Sequence, residues 1–315
     1  MFKNLKELVT SMPDEESCRK YFAQYRWEGG KPVCPYCNCD RCYVCDNGKR
    51  YKCGGKGCNR KFSVTVNTIF HASNVPLSKW FMAIYLITAH KKGISSYQLA
   101  KDIGISQKSA WFVLHRAREL MKRTSTTKLT GIIEADETYM ARKYRSDYKG
   151  TVSEQEIEYN LKNKYKSKGA VVALAQRGGE IIVKAFDENN AKIIRENIKT
   201  NVEAGSELYT DESKLYKAGL EEYTRKSILH SKRQWCVEGV HVNNVENFWS
   251  VMKRGVHGIY HQISFKHLQR YCSEYSYRYN TRQIKDHERF IISLSKSICR
   301  LDYKTLTGKD KNLVP

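Results

Sequence analysis

Apolar residues recur at helical spacing in three stretches of the chain. The first covers residues 1–30, where cysteine and aromatic side chains between 18 and 25 would share one helix face. The second runs from Ser78 to about Thr124, and the third from Asn243 to about Lys296. Residues 131–240 instead alternate between strand-like and helix-like segments. The pattern predicts a helical N-terminal part followed by an α/β domain that ends in helices.

The α/β region predicts a small sheet with an inserted helix. Its first strand shows the alternation of a half-buried strand, and Arg177-Gly-Gly is a turn that joins two further strands as a hairpin. The predicted segments are the strands Thr130–Tyr139, Gly169–Ala175, Glu180–Phe186 and Glu207–Asp211, and the helix Ala191–Val202. This β-β-β-α-β-α order, completed by the helix from Asn243, is typical of a ribonuclease-H-like α/β domain with a mixed sheet.

Seven of the 11 cysteines lie between Cys34 and Cys58. Cys34 and Cys37 form a CxxC turn, and Cys53 and Cys58 close a second, glycine-rich turn about 15 residues later. Two such turns present four thiolates, which is the tetrahedral ligand set of structural zinc. We expect a zinc ribbon that depends on its metal, because so short a segment buries little core.

The other thiols of this cluster allow two interpretations. Cys39, Cys42 and Cys45 are spare cysteines of the ribbon loop in the simpler one, and ligands of this or a second metal in the other. Cysteine is concentrated in one segment, and the N-terminus lacks the apolar block of a signal peptide. Both features favour a reduced, cytoplasmic compartment over a secreted disulfide scaffold.

Residues 95–118 contain two short helical patterns around a glycine. Gly104 permits a tight bend, and Ser106 is well placed to cap the second helix. The pattern predicts a helix-turn-helix, although an ordinary helical hairpin would show it too. In a helix-turn-helix the start of the second helix reaches base edges. The residues there are Gln107, Lys108, Ser109 and Trp111.

The charge balance favours a polyanionic partner. Lys and Arg number 55 against 33 Asp and Glu, a formal net charge of +22. Neutralised phosphates release counterions, so such an excess favours nucleic acid over the alternative of a merely basic or ribosome-associated protein. The ribbon is itself basic, and Arg60 and Lys61 are expected to contact phosphates. No long uncharged apolar run is present, so no membrane partner is expected.

Three acids lie where the predicted elements would bring them together. Asp136 ends the first strand with Glu134 on the same face, Asp211 ends the fourth strand, and Glu246 lies in the helix that follows. In-line attack on a phosphodiester develops charge on the attacking and leaving oxygens, which two Mg²⁺ (or Mn²⁺) ions roughly 3.5–4 Å apart stabilise. Asp136 would bridge both ions, with Asp211 and Glu246 each completing one side.

Each acid also has a simpler explanation. Glu246 follows Asn243 by three residues, as in a capping box. Asp136 would otherwise be a surface acid at a strand end, and Asp211 lies in a Thr-Asp-Glu-Ser segment typical of a helix start. Together the three favour a metal site more strongly than any one does. Two further candidates for lining the site, more often surface or core residues in isolation, are His230 and His241.

A lysine accompanies the third acid. Lys253 follows Glu246 by seven residues, so both project from one helix face about 10 Å apart. A cation at that position would lie beside the DNA backbone next to the scissile phosphate. Lys253 is therefore expected to position DNA rather than transfer a proton, with Arg254 as a further DNA contact.

These motifs together resemble those of a known family. The segments concerned are Cys34–Cys37, Lys61–Phe70, Glu134–Tyr139, His241–Trp249, Lys253–Gly255 and Arg278–Asn280. They span about residues 20–285 in the family's order. The chain is similar to insertion-sequence transposases with an N-terminal zinc ribbon and a DDE domain, the ISXO-like group related to eukaryotic Merlin elements.

The resemblance implies a DNA transposase that nicks DNA at the terminal inverted repeats of its element and joins a 3′-hydroxyl to target DNA. It carries the three acids onto Asp136, Asp211 and Glu246, with Lys253 as the associated lysine. One departure is the four-residue gap before Cys58, where two residues are common. The alternatives are a catalytically silent DNA-binding regulator and a structure-specific nuclease or resolvase.

The expected organisation is multidomain. It comprises a helical lead-in at 1–30, a zinc ribbon at 31–72, a helix-turn-helix region at 73–125, the ribonuclease-H-like catalytic domain at 129–298 and a polar tail at 299–315. Pairing of two element ends implies a homodimer or larger assembly on double-stranded DNA, at the nucleoid of a prokaryotic cell. The basic segment 140–168 is a further candidate for DNA contact.

Overall fold

The computed structural model describes residues 2–142, 168–187, 190–216, 218–232 and 235–307. The chain divides into two compact units, Met1–Met121 with Gln283–Pro315, and Lys122–Arg282. Apart from its ends, the basic segment 140–168 lies outside the described residues. No helix in the described ranges is both long enough and apolar enough to cross a membrane.

A three-stranded antiparallel sheet forms the ribbon of the first unit. Its strands are β1 (Cys42–Cys45), β2 (Arg50–Cys53) and β3 (Lys61–Phe62), paired in that order. Tyr51 of β2 stacks on Phe62 of β3, and Trp27 packs edge-on against Tyr51 with ring centroids 5.1 Å apart. These rings give the ribbon a small apolar core of its own.

Five helices complete the N-terminal part of this unit. They are α1 (Leu5–Ser11), α2 (Glu15–Arg26), α3 (Leu77–Ala89), α4 (Ser96–Ile103) and α5 (Gln107–Glu119). Gly104 ends α4 in the left-handed region at φ 62°, and the Ser106 side chain accepts the Ser109 N–H at the start of α5. Leu99 of α4 and Val113 of α5 are both buried. The predicted bend and cap are both present.

The second unit is built on a five-stranded mixed sheet. Its strands are β4 (Ile132–Arg142), β5 (Lys168–Gln176), β6 (Ile181–Phe186), β7 (Glu207–Thr210) and β8 (Thr224–Ser227), with α6 (Ala191–Asn201) between β6 and β7. The spatial order is β6-β5-β4-β7-β8. The first three strands are antiparallel, whereas β7 runs parallel to β4 and to β8. This is the ribonuclease-H-like arrangement, and the predicted fold class is confirmed.

Both faces of this sheet are covered. One carries α7 (Asn243–Gly255) and α8 (Phe265–Asn280) over Val171 and Ala173 of β5, and the other carries α6 over Val172 and Leu174. The two-residue alternation of β5 thus divides its side chains between two cores. As a result α7 lies on one defined face of β4.

Amide side chains from α8 close the edge strand β6. Asn280 accepts the Ile181 N–H and donates to the Ile181 carbonyl, at 2.8 and 3.1 Å. Gln269 does the same with the Ala185 N–H and the Val183 carbonyl. Edge strands left open invite pairing with other chains, so these amides satisfy and protect the edge. This contact gives the Asn280 of the Arg-Tyr-Asn segment a structural role.

The C-terminal residues pack differently from expectation. The expected catalytic domain ended at 298 and a polar tail began at 299, but α9 (Asp286–Ser295) and α10 (Tyr303–Thr307) belong to the first unit. Phe290 of α9 packs edge-on against Phe2 and Phe81, and Arg116 donates to the Leu301 carbonyl at 2.9 Å. The difference arises because helical periodicity shows where a helix lies in sequence but not which core receives it.

Candidate functional site

The four predicted zinc ligands lie together. The Sγ atoms of Cys34, Cys37, Cys53 and Cys58 are all within 4.8 Å of one another, with Cys34 3.8 Å from Cys58 and Cys37 3.5 Å from Cys53. A tetrahedral zinc with Zn–S bonds of ~2.3 Å separates its sulfurs by about 3.8 Å. The four-thiol cluster therefore fits a structural zinc ion.

Among the four sulfurs, hydrogen bonding favours the thiolate form at Cys34. Burial raises the pKa of the Cys34 thiol, but the backbone N–H groups of Tyr36 and Cys37 and the thiols of Cys37 and Cys53 together lower that pKa to about 7. In the same cluster the pKa values of the Cys37 and Cys53 thiols are raised, partly because they donate to neighbouring sulfurs. The Gly55 N–H donates to Cys53 Sγ at 3.3 Å. A Cβ at Gly55 would lie 3.2 Å from Cys39 Cβ, so glycine lets the longer gap before Cys58 fold tightly.

The remaining thiols of the ribbon bond locally. The thiols of Cys39, Cys42 and Cys45 donate to the carbonyls of Arg41, Cys39 and Tyr43, respectively. Within the described residues, no second group of three or more His, Cys, Asp or Glu side chains gathers its ligand atoms as closely as the four cysteines do. These contacts favour the interpretation of spare cysteines.

The candidate DNA contacts of the first unit differ in exposure. Lys108 and Lys61 are exposed, and the exposed Arg60 lies over the Tyr36 ring at 5.0 Å. The others already contact neighbours: Gln107 donates to Ser96, Ser109 accepts from Ser106, and Trp111 packs on His115 with centroids 4.4 Å apart. Their role in DNA recognition stays a prediction.

Two of the three predicted acids meet at the centre of the sheet. The parallel register pairs Glu134 of β4 with Tyr209 of β7, and Asp211 directly follows the end of β7. Asp136 lies within β4 and not at its end as expected, because the strand continues to Arg142. Trp249 of α7 donates to Asp136, and the Asp211 carboxylate is close enough to raise the Asp136 pKa.

The protein environment makes Asp136 a perturbed acid. Burial, together with the nearby carboxylates of Glu137 and Asp211, raises its pKa to about 7, against the N–H of Trp249 that donates to Asp136 Oδ2 at 3.0 Å. Burial also raises the pKa of Glu137, while Tyr216 donates to its carboxylate at 2.6 Å and opposes the rise. Two neighbouring carboxylates with raised pKa values, next to the Asp211 carboxylate, form a site suited to a divalent cation.

Glu246 and Lys253 lie on α7 as expected, Glu246 half-buried and Lys253 exposed. The capping-box explanation of Glu246 does not hold. The N-cap residue of α7 is Val242 and not Asn243, and its side chain makes no capping hydrogen bond. Asp136, Asp211 and Glu246 do not bring their oxygens within 4.8 Å of one another, the spacing that the four cysteines achieve. The fold aligns the acids without closing them into a compact cage.

The sequence patterns did not predict the contacts that hold these acids in place. Glu134, noted only as a neighbour on the same strand face, is a buried carboxylate bonded to Arg177 and Asn244. His241 Nδ1 lies 3.3 Å from Glu134 Oε1, and the side chain of His230 lies outside the described residues, so a role for either histidine in lining the site stays a prediction. Trp249 is the donor to Asp136. The sequence feature that could have indicated these contacts is Glu134 itself, an acid two residues before Asp136 in an apolar strand.

The raised pKa of Asp136 makes stability depend on pH. The folded chain keeps the Asp136 proton up to pH about 7, whereas the unfolded chain releases it near the ordinary aspartate pKa of 3.8. Folding stability is therefore present at low pH and lost as pH rises through 7, by about 3 kcal/mol between pH 5 and pH 8 without added magnesium. Denaturant titrations of wild type and Asp136→Asn, both with zinc retained, measure the effect as a difference in pH slope. Equal slopes would contradict it.

Comparison with known proteins identifies both halves of the chain. Residues 13–61 match the family described as transposase zinc-ribbon domain, and residues 128–280 match the ISXO2-like transposase domain. A curated relative, an uncharacterized protein in transposable element ISH50 of Halobacterium salinarum, is 27% identical over 263 residues, which cover 78% of this chain and 84% of the relative.

A structural relative is more distant. The crystal structure of a pre-cleavage Mos1 transpososome aligns with 70% of this chain and 75% of its own, at 14% identity and a TM-score of 0.28. The fold assignment therefore rests on the strand order of the sheet and not on this alignment. A DDE transposase domain implies an enzyme of phosphoryl transfer that acts on DNA. The chain belongs to the family of ISXO2-like transposases, which join an N-terminal zinc ribbon to a DDE domain.

Proposed function

We propose that this chain is an active transposase that binds the terminal inverted repeats of its element and cleaves and joins DNA strands with two divalent metal ions. One observation carries the proposal: Asp136, within β4, lies beside Asp211, which follows the end of β7, and α7, the helix that holds Glu246, donates the Trp249 N–H to Asp136. Their carboxylate oxygens are the hard ligands that Mg²⁺ and Mn²⁺ prefer. When bound, the two ions would stabilise charge on the attacking and leaving oxygens of the phosphodiester.

The residues of the site would have different roles in this reaction. Asp136 is held by the Trp249 N–H with one oxygen fixed, and Asp211 accepts the Ser213 N–H at 2.9 Å, so both carboxylates are oriented before any ligand binds. Lys253 lies two helical turns beyond Glu246 and exposed, where it would hold the DNA backbone beside the scissile phosphate. Arg254, its exposed neighbour, would add a second contact.

In the first unit, the zinc ribbon and the helix-turn-helix would recognise the ends. Lys108, Arg60 and Lys61 are exposed cations suited to phosphate contact, and the start of α5 is the part of a helix-turn-helix that reads bases. We further propose that two copies or more assemble on paired ends of double-stranded DNA, in the cytoplasm at the nucleoid.

The alternative of a catalytically silent regulator fits the site less well. A buried carboxylate whose pKa is raised to about 7 lowers the stability of the folded chain at neutral pH. A bound cation offsets that loss, whereas a regulator gains nothing from keeping Asp136 next to Asp211. A structure-specific nuclease would share the metal site but not the end-recognition modules.

Joining of pre-cleaved element ends to target DNA in Mg²⁺ tests the proposal. An active transposase forms joined products that carry the labelled 3′ end, in proportion to added metal. A chain that binds the ends in a gel-shift assay and joins none, in Mg²⁺ or Mn²⁺, would support the regulator. Cleavage of branched DNA without preference for element ends would support the nuclease.

A further inference from the structure

Glu134 is a fully buried carboxylate at the junction of β4 and α7. Its side chain is 0% exposed, and it accepts Arg177 Nε at 2.9 Å, Asn244 Nδ2 at 2.8 Å and the Asn244 backbone N–H at 2.9 Å. A buried charge is tolerated only when it is paired and hydrogen-bonded, and here both carboxylate oxygens accept donors. The interaction spans 110 residues of sequence and joins two elements.

This carboxylate acts as the cap of α7. The first N–H groups of any helix lack partners within it, and in α7 no side chain of the N-cap residue supplies one. Asn244 is the second residue of the helix, and its N–H is satisfied by Glu134. The negative charge also suits the positive end of the helix dipole. The start of α7 is therefore fastened to β4 by a residue outside the helix.

Arg177 extends the connection to the segment that leads into α7. Its guanidinium donates to the carbonyls of Gly239 and His241 at 3.0 and 3.1 Å, and it lies over the Tyr209 ring of β7 at 4.7 Å. The Arg177 backbone N–H donates to Ile132 of β4. One ion pair thus holds the approach to α7 against β4 and β7.

We propose that Glu134, with Arg177, is a positioning residue that fixes Glu246 relative to Asp136, an inference that rests on the proposed function. Glu134 and Asp136 are two residues apart on one face of β4, and both contact α7: Glu134 accepts the Asn244 N–H and Asp136 accepts the Trp249 indole N–H. Glu246 lies three residues before Trp249, about one turn away on the same side of the helix. The anchor between Glu134 and Asn244 therefore holds the part of α7 that carries Glu246 against the strand that carries Asp136. Removing a residue that holds a metal ligand in place typically changes metal affinity or activity 10–100-fold.

The first test measures Mn²⁺ binding by calorimetry, with the full, zinc-loaded chain and without DNA. Glu134→Gln keeps the size and one acceptor of the side chain but removes its charge, and it is expected to weaken Mn²⁺ binding at least tenfold. The matched control is Glu180→Gln, which alters an exposed acid paired with Arg123 at 3.1 Å. The control is expected to bind as wild type does. Wild-type affinity in Glu134→Gln would overturn the proposal.

Hydrogen exchange of the same proteins, free of Mn²⁺ and DNA, reports whether the cap itself is lost. Amides in the first turn of α7 are expected to exchange about tenfold faster in Glu134→Gln and in Glu134→Ala, with other helices of the unit unchanged. Faster exchange throughout the unit, in step with weaker Mn²⁺ binding, would show a general loss of folding and contradict a positioning role.

Different results would contradict the proposed function and the positioning role of Glu134. If wild type joins no DNA ends while Glu134→Gln still weakens Mn²⁺ binding and loosens α7, the positioning role stands and the transposase activity does not. If wild type joins ends and Glu134→Gln joins them with unchanged metal dependence, the activity stands and the positioning role is overturned.

Discussion

Replacing Asp136 by asparagine is expected to abolish strand joining, by a factor of at least about 10³, while binding of element ends is unchanged. The bridging carboxylate would contribute several kcal/mol of charge stabilisation through the metals, and each ~1.4 kcal/mol is a tenfold change in rate. Asparagine keeps the shape of the side chain and an oxygen that still accepts the Trp249 N–H. The assay is joining of pre-cleaved ends in Mg²⁺, with gel-shift binding measured in parallel.

The loss cannot be attributed to unfolding, because Asp136→Asn removes a buried, destabilising charge and is expected to fold at least as well as wild type at neutral pH. The matched control is Glu207→Gln, at the far end of β7 from Asp211, where the carboxylate forms an exposed ion pair with Lys226. That variant is expected to join ends normally. Substantial joining by Asp136→Asn would remove this residue from the metal site.

Replacing Cys34 by serine is the second change with a large expected effect. It is expected to release zinc, unfold the ribbon and reduce binding of element ends to the non-specific level, since metal binding supplies on the order of 10 kcal/mol to such sites. Zinc content by atomic absorption and end binding against random DNA measure the two consequences. The small aromatic core around Tyr51 and Phe62 is too limited to hold the fold alone.

The matched control for this change is Cys39→Ser, in the same loop. The Cys39 thiol donates to the Arg41 carbonyl and lies outside the group of four sulfurs. The variant is expected to keep its zinc and its binding of element ends. Zinc loss in Cys39→Ser together with retention in Cys34→Ser would show that the ligand set is wrong.

Local sequence patterns were sufficient for much of the fold and for the zinc site. The strand patterns placed Asp136 on β4 and Asp211 at the end of β7, but β4 continues to Arg142, so Asp136 lies within its strand and not at its end. The two cysteine turns named four ligands because zinc chemistry restricts the number and spacing of thiols. In both cases the information lies within a few residues of the feature predicted.

The contacts that were missed join residues far apart in sequence. Glu246 was open to interpretation as a helix cap because Asn243 lies three residues before it, whereas the cap comes from Glu134, 110 residues before Asn244. The position of α9 depended likewise on Phe290 meeting Phe2 and Phe81, contacts that its own periodicity does not encode. Partner choice between distant segments is decided by the packed structure and not by local pattern.

The central claim is that Asp136, Asp211 and Glu246 together hold the two catalytic ions. The most direct measurement is anomalous scattering from Mn²⁺ in crystals of the protein bound to pre-cleaved element ends. Two peaks about 3.5–4 Å apart are expected, with the Asp136 carboxylate between them and Asp211 and Glu246 each on one side. Manganese bound away from these carboxylates, or two peaks that persist in Asp136→Asn, would contradict it.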